Sequence, residues 1–237
     1  EDGIRDLSLS LVGSEMCIRD RSRQQQDAYV AEEFNRAAAS YDDSPLVRSY
    51  QYRVQALVVD SLDIKKGMNV LDLGCGTGWA TLEIASRLEG TGKVVGLDLS
   101  EGMIEQARQK LPRFRYDNVE FVQESASSLN YDACFDYVVS TNAFHHFADK
   151  EGVFARVWKS LKAGGSFVIQ DFCRDFFLRR FVDLMGRIGE KAHIGTTRSS
   201  ELGELFLIPG FVDVQVESIK LNWFWGIMIG RGMKPGL

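Results

Sequence analysis

The sequence predicts an α/β protein built on a doubly wound, mostly parallel sheet of seven strands, the last of them antiparallel. Three observations predict it. Five short apolar runs alternate with stretches of helix length between residues 67 and 171, the pattern of strands joined by crossover helices. The runs carry little polar face, as expected of strands covered by helices on both sides. A glycine-rich turn, Gly74-Cys75-Gly76-Thr77-Gly78, follows the first run and opens a helix.

Residues 1–22 are set aside. They show neither helical nor alternating periodicity, and a near-repeat links Ile4-Arg5-Asp6 with Ile18-Arg19-Asp20. Acids spread through the segment and no basic start precedes an apolar stretch, so it is no secretory signal. It resembles the translation of a sequencing-library adapter, and is read as an artefactual or disordered stretch.

The rest reads as one domain, 23–237, with a helical cover (24–62), a nucleotide-binding core (67–171) and a lid with the last strands (172–237). In residues 24–41 Ala28, Ala31, Phe34, Ala37 and Ala38 recur at helical spacing. Asp42-Asp43-Ser44-Pro45 supplies a cap with Pro just inside a second helix. That helix carries Val47, Tyr50, Val54, Leu57 and Val58 on one stripe and stops near Lys66-Gly67. Strands follow at MNVLDLG, KVVGLDL, VEFVQE, FDYVVS and GSFVIQDF, with helices over 77–88, 101–111 and 150–161 between them. Beyond Phe172 an amphipathic helix is expected over 174–188, with Phe177, Phe181, Leu184, Met185 and Ile188 apolar. A capped helix over 199–208 ends at Pro209-Gly210. Two strands, 211–219 and 221–229, are expected to turn tightly and form an antiparallel edge. No Pro/Gly/Ser-rich linker interrupts this part.

Composition narrows the function. The chain has 28 basic and 33 acidic side chains, a net charge of −5. Removing the first twenty residues takes away 2 basic and 5 acidic groups and leaves 26 against 28, or −2. Neither balance suits a duplex-binding face, which needs basic charge. No apolar run approaches the ~20 residues of a membrane span, although peripheral contact with a membrane stays open. Cys17, Cys75, Cys134 and Cys173 are scattered, with no CxxC and no metal-ligand spacing. They suit a reducing, cytoplasmic compartment and neither a disulfide framework nor a metal site.

The chemistry concentrates in the glycine turn and the acid after it. Glycines let the backbone approach a ligand closely, and the following helix presents free N–H groups to an anion. Asp72 stands two residues before the first glycine. Asp98 ends the next strand, where a carboxylate can accept both hydroxyls of a ribose. A nicotinamide fingerprint wants G-x-G-x-x-G, whereas the spacing here is G-x-G-x-G.

The runs VLDLGCGTG, VVGLDLSEGMIEQAR, FDYVVSTNAFHHF and LKAGGSFVIQD together resemble the class I S-adenosylmethionine-dependent methyltransferases, over residues ~24–234. The resemblance implies a Rossmann-like methyltransferase fold with S-adenosylmethionine as cofactor. It implies that Asp72, Gly74, Cys75, Gly76, Thr77 and Gly78 form the loop holding the methionine end, and that Asp98 binds the ribose hydroxyls. Leu99 and Met103 match apolar positions flanking the adenine. Ser125 and Ala126 align with a usual Asp-Ala pair, Ser replacing the acid that reads the adenine amino group, with Glu124 one residue earlier. Ser140 aligns with the position facing cofactor and substrate. The stretch 34–42, FNRAAASYD, resembles the segment ahead of the core in quinone-biosynthesis C-methyltransferases, where a Tyr matching Tyr41 closes over the methionine end. The segment 225–235 is similar to that group's last strand.

His145 and His146 follow the fourth strand, where the substrate mouth is expected. An unperturbed imidazole titrates near ~6.5, which suits a general base, and either histidine is a candidate against the plainer role of ordering the loop. His193 is an outside candidate. Cys75 has no base in sequence to activate it and reads as a small packing residue within the loop. Ser140-Thr141-Asn142-Ala143 lacks the Asn-Pro-Pro-aromatic box associated with methylating nucleic-acid amines. The expected activity is methyl transfer to a small-molecule acceptor, apolar or lipid-like, with no nucleic acid and with oligomeric state open. An NAD(P)-binding oxidoreductase and a non-catalytic cofactor-binding subunit remain alternatives, because one scaffold hosts many reactions.

Overall fold

A computed structural model describes residues 23–45, 47–115, 117–173, 175, 196–220 and 226–236. Residues 1–22, most of the helix expected over 174–188, His193 and Trp225 lie outside the described residues. Helix α1 (Arg23–Tyr41) is followed by a widened turn at Val47–Gln51 and by α2 (Tyr52–Ser61). Then come β1 (Asn69–Leu73), α3 (Trp79–Arg87), β2 (Lys93–Asp98), α4 (Glu101–Arg108), β3 (Val119–Gln123) and β4 (Phe135–Thr141). The chain continues through α5 (Lys150–Ser160), β5 (Leu161–Phe172), α6 (Ser199–Leu207), β6 (Val212–Lys220) and β7 (Gly226–Met233).

The seven strands form one sheet in the order β3-β2-β1-β4-β5-β7-β6. β1 pairs in parallel with both β2 and β4, so the winding direction reverses between β1 and β4. Such a switch point leaves a crevice at the carboxyl ends of the strands. β7 is antiparallel to β5 on one side and to β6 on the other.

Alternation along the strands divides the core into two layers. Leu71 and Leu73 of β1 join Val138, Phe167 and Met228 under α5 and α6, where Phe154 meets Phe144, Phe167, Phe206 and Phe211 ring to ring. Val70, Val94, Val139 and Val168 face the other way, against Val58 and Val59 of α2, Ile84 of α3 and Leu88 just past its end. Asp72 shares the parity of Val70 and is therefore carried, buried, toward α3.

One expectation is corrected. The second helix stops at Ser61, not near Lys66-Gly67: the Ser61 hydroxyl turns back to the Val58 carbonyl and Leu62 is extended. The last two strands pair antiparallel and form that edge of the sheet, as expected. β7 inserts between β5 and β6, leaving β6, parallel to β5, as the edge. Two strands adjacent in sequence fix their mutual pairing but not which of them meets the existing sheet.

Candidate active site

At the switch point lies a cleft of about 890 Å³, counting the space open at its mouth. Its floor is the turn after β1. Gly74, Gly76 and Gly78 have φ of +78°, +53° and +83°, a region L side chains rarely adopt. A Cβ on Gly74 would stand 2.4 Å from Ala143 Cβ, whereas one on Gly76 would meet nothing within 4 Å. Gly74 thus serves close packing, while Gly76 opens onto the cleft.

Asp98 ties the turn to β2. Its Oδ2 accepts the Gly76 N–H at 2.8 Å and its Oδ1 the Ser100 N–H at 2.9 Å. Burial pushes its carboxyl above the ordinary range, and these backbone donors oppose that rise. Asp72 lies beneath. Its Oδ2 accepts the Thr81 hydroxyl at 2.6 Å, while its buried Oδ1 has no partner. Burial drives this carboxyl up to about 7, with the Asp98 charge adding to the rise and the Thr81 bond opposing it. Burial also pushes the Cys75 thiol well up, which suits a packing residue and not a nucleophile.

Helix α1 roofs the cleft through polar clasps. Asn35 Oδ1 accepts from the Ser100 hydroxyl and the Gly102 N–H, both at 2.8 Å, docking α1 on the start of α4. Ser125, standing where the resemblance expects an acid, donates its hydroxyl to Asp27 Oδ2 at 2.7 Å. Just past α1, Asp42 Oδ1 accepts from Thr77 Oγ1 at 2.6 Å and Tyr52 OH at 2.8 Å, and its Oδ2 pairs with Lys110 at 2.7 Å. Burial would raise the Asp42 carboxyl, but Lys110 and the two hydroxyls hold it below its ordinary value. Tyr41 donates to Gln51 Oε1 at 2.7 Å, joining the end of α1 to the start of α2.

The histidines split in position. His145 is buried, and Asp171 at the end of β5 receives its backbone N–H at 2.6 Å and pairs with its Nδ1 at 2.8 Å. Burial alone would raise Asp171, but His145 and the Phe172 N–H hold it below the usual carboxylate range. His146 lies on the cleft wall, its ring 3.9 Å from that of His145 and 5.0 Å edge-on from Phe34.

Of the residues singled out in sequence, Tyr41, Gly74, Cys75, Gly76, Thr77, Asp98, Leu99, Met103, Ser125, Ala126 and His146 line the cleft. The other four lie behind it. Asp72 and His145 are held as described, Gly78 caps α3, and Ser140 donates to the Leu73 carbonyl at 2.8 Å. The cleft also takes in Asp27, Gln51, Gln55, Trp79 and Asn142, and Asp171 stands behind it. Nothing at short range in the sequence marks these residues, because the roof and β5 meet the site only through the fold.

The residues suit an S-adenosyl cofactor. Gly76 leaves the space a side chain would fill, beside the half-buried Asp98 on the cleft, whose acceptor-only carboxylate suits a sugar diol and would repel a phosphate.

A methyltransferase-domain family model matches residues 64–200, more than half of the chain. The chain belongs to this family, and is an S-adenosylmethionine-dependent methyltransferase. It is 27% identical to the demethylmenaquinone methyltransferase of Lactococcus lactis over 85% of this chain and 89% of that one. Against the ubiquinone/menaquinone biosynthesis C-methyltransferase UbiE of Cronobacter sakazakii it is 29% identical, over 71% and 72% of the two chains. Among solved structures, Haemonchus contortus phosphoethanolamine N-methyltransferase 2 with S-adenosyl-L-methionine matches at a TM-score of 0.69 and 16% identity, over 85% of this chain and 57% of that one. Among the described residues no helix is long and apolar enough to cross a membrane.

Proposed function

We propose that the acceptor is an apolar ring compound of the quinol class. The observation that carries this reading is the aromatic wall of the cleft, lined by Phe34, Tyr41, Tyr52, Trp79 and Phe147 together with His146, against which Phe34 stands edge-on. The names of the quinone-biosynthesis relatives support it. Such a wall favours a flat apolar ring over a small charged acceptor.

Bound S-adenosylmethionine supplies an electrophilic methyl group on a sulfonium. In this reading the Gly74–Gly76 turn and Thr77 hold the amino-acid end, Asp98 takes the ribose hydroxyls, and Leu99 and Met103 flank the base. Asp72, Gly78 and Ser140 shape the turn from behind, and Cys75 packs within it. Helix α1 and Tyr41 exclude water, which sharpens positioning. A ring carbon that gains a methyl must lose a proton. His146 accepts it at the cleft wall, and the Asp171-bound His145 steadies His146 from behind. Residues 23–237 work as one domain in a cytoplasmic setting, on a small molecule and not on nucleic acid.

The test is transfer of labelled methyl to a short-chain demethylated naphthoquinol and, in parallel, to phosphoethanolamine, with Asp98→Ala titrated against S-adenosylhomocysteine. Transfer to the naphthoquinol alone is expected. Transfer to phosphoethanolamine alone overturns the acceptor class. Unchanged affinity in Asp98→Ala removes that residue from the ribose site.

A further inference from the structure

The strands β1, β2 and β3 lie side by side in the sheet, so their carboxyl ends follow one another at ~4.8 Å steps. The glycine turn follows β1, Asp98 ends β2, and Glu124 to Ser127 follow β3. The span is ~10 Å, enough to set an amino-acid tail, a sugar and a flat base in a row. With the tail at the glycine turn and the diol on Asp98, the base comes to the end of β3. The surfaces there are apolar (Val30, Leu99, Met103, Ala126) with a rim of Asp27, Glu124, Ser125 and Ser127.

The polar rim decides which base fits. Ser125 Oγ accepts the Ser127 N–H at 3.1 Å and donates its one hydrogen to Asp27 Oδ2 at 2.7 Å. Its donor is therefore spent, and it fixes the Asp27 carboxyl group through one oxygen. A carboxylate oriented in this way presents its other oxygen as an acceptor. An exocyclic amine satisfies that acceptor. A 6-oxo base would bring its own lone pairs against it, leaving both groups unpaired at a cost.

We infer that Asp27, delivered from the roof helix α1, reads the 6-amino group of the cofactor's base, so that the roof is part of the cofactor site. The inference rests on the methyltransferase reading and adds to it a specificity residue 98 positions away in sequence from the serine that orients it. Base binding then bridges α1 to the loop after β3, and cofactor occupancy holds the roof down.

The test is calorimetric titration of the full chain with S-adenosylhomocysteine and S-inosylhomocysteine, which differ by amino against oxo at the 6-position. The wild type is expected to favour the adenine compound by ~10- to 100-fold, the usual range for a hydrogen bond to a charged group. In Asp27→Asn and Asp27→Ala that preference falls to within a few-fold. Ser125→Ala, which loosens the clasp but keeps the carboxyl group, retains most of it. Both ligands are compared within each variant, so any loss of folded protein cancels from the ratio. Hydrogen exchange supplies a second readout: S-adenosylhomocysteine slows amide exchange across α1 in the wild type and fails to do so in Asp27→Asn. A preference unchanged in both Asp27 variants overturns the inference, as does an equal loss of affinity for both ligands, which would make Asp27 a clasp alone. No binding of S-adenosylhomocysteine to the wild type would overturn the methyltransferase reading itself, a distinct result.

Discussion

Replacing Asp72 with Asn should stabilise the ligand-free protein at alkaline pH and help progressively less as pH falls. The Asp72 carboxyl is buried, with one oxygen on Thr81 and the other unpartnered, and burial raises it to about 7. Its unfolded value is ~3.9. Between those values the folded state binds more protons than the unfolded state, so stability falls as pH rises through that window. At about pH 8 the ionised group costs ~4 kcal/mol, three units at ~1.4 kcal/mol each, and at about pH 5 only ~1.5 kcal/mol. Asn carries no charge at either pH. Its amide nitrogen, in place of the unpartnered oxygen, costs ~1–3 kcal/mol at both, so this penalty cancels from the difference between them. Urea unfolding of wild type and Asp72→Asn at the two pH values should therefore show the stability difference moving ~2.5–3 kcal/mol in the variant's favour from pH 5 to pH 8. An equal difference at both pH values would refute the reasoning, since the Asp72 carboxyl would then titrate alike folded and unfolded.

Gly74→Ala and Gly76→Ala should part company. Both strain a positive φ by ~1 kcal/mol, but only Gly74→Ala adds a clash with Ala143. Thermal unfolding should show the larger loss for Gly74→Ala, and calorimetry with S-adenosylhomocysteine a specific loss of affinity for Gly76→Ala. Asp98→Ala should weaken the same ligand by ~1.5–3 kcal/mol, the worth of hydrogen bonds to a charged acceptor; calorimetry reads it directly. Asp171→Asn should destabilise the protein by ~1.5–3 kcal/mol near neutral pH, since His145 and two backbone N–H groups lose a charged acceptor. Because the folded Asp171 carboxyl is depressed, that contribution is present above ~4 and lost as pH falls further, so denaturation below that pH should narrow the gap.

The core strands were legible in sequence to within a residue or two at most ends, because each is a short apolar run punctuated by a polar or glycine turn. The glycine turn and Asp98 were legible for a related reason: close backbone approach and an acid at a strand end leave local marks. What escaped depends on distance along the chain. Nothing near Asp27 signals Ser125, 98 residues on, and nothing near His145 signals Asp171, 26 residues on. Such pairs exist only once α1 crosses the strand ends and β5 lies beside β4. Ser140 illustrates the converse. Its place near the end of β4 was correct, but its hydroxyl donates to the Leu73 carbonyl, and it is the next residue, Thr141, that lines the cleft. The order of the last two strands escaped for want of any local mark of which one meets β5.

The seating of β7 between β5 and β6 has a consequence for synthesis. While the chain is made from its amino end, β5 and β6 can both be present before their shared neighbour exists, each offering an unpaired ladder to other chains. The sheet closes only when β7 slides in between them, pairing locally with β6 but joining β5 across a long stretch of chain, and that second pairing is correspondingly slow. The newborn chain is thus most vulnerable to aggregation in the interval between the emergence of β6 and the seating of β7.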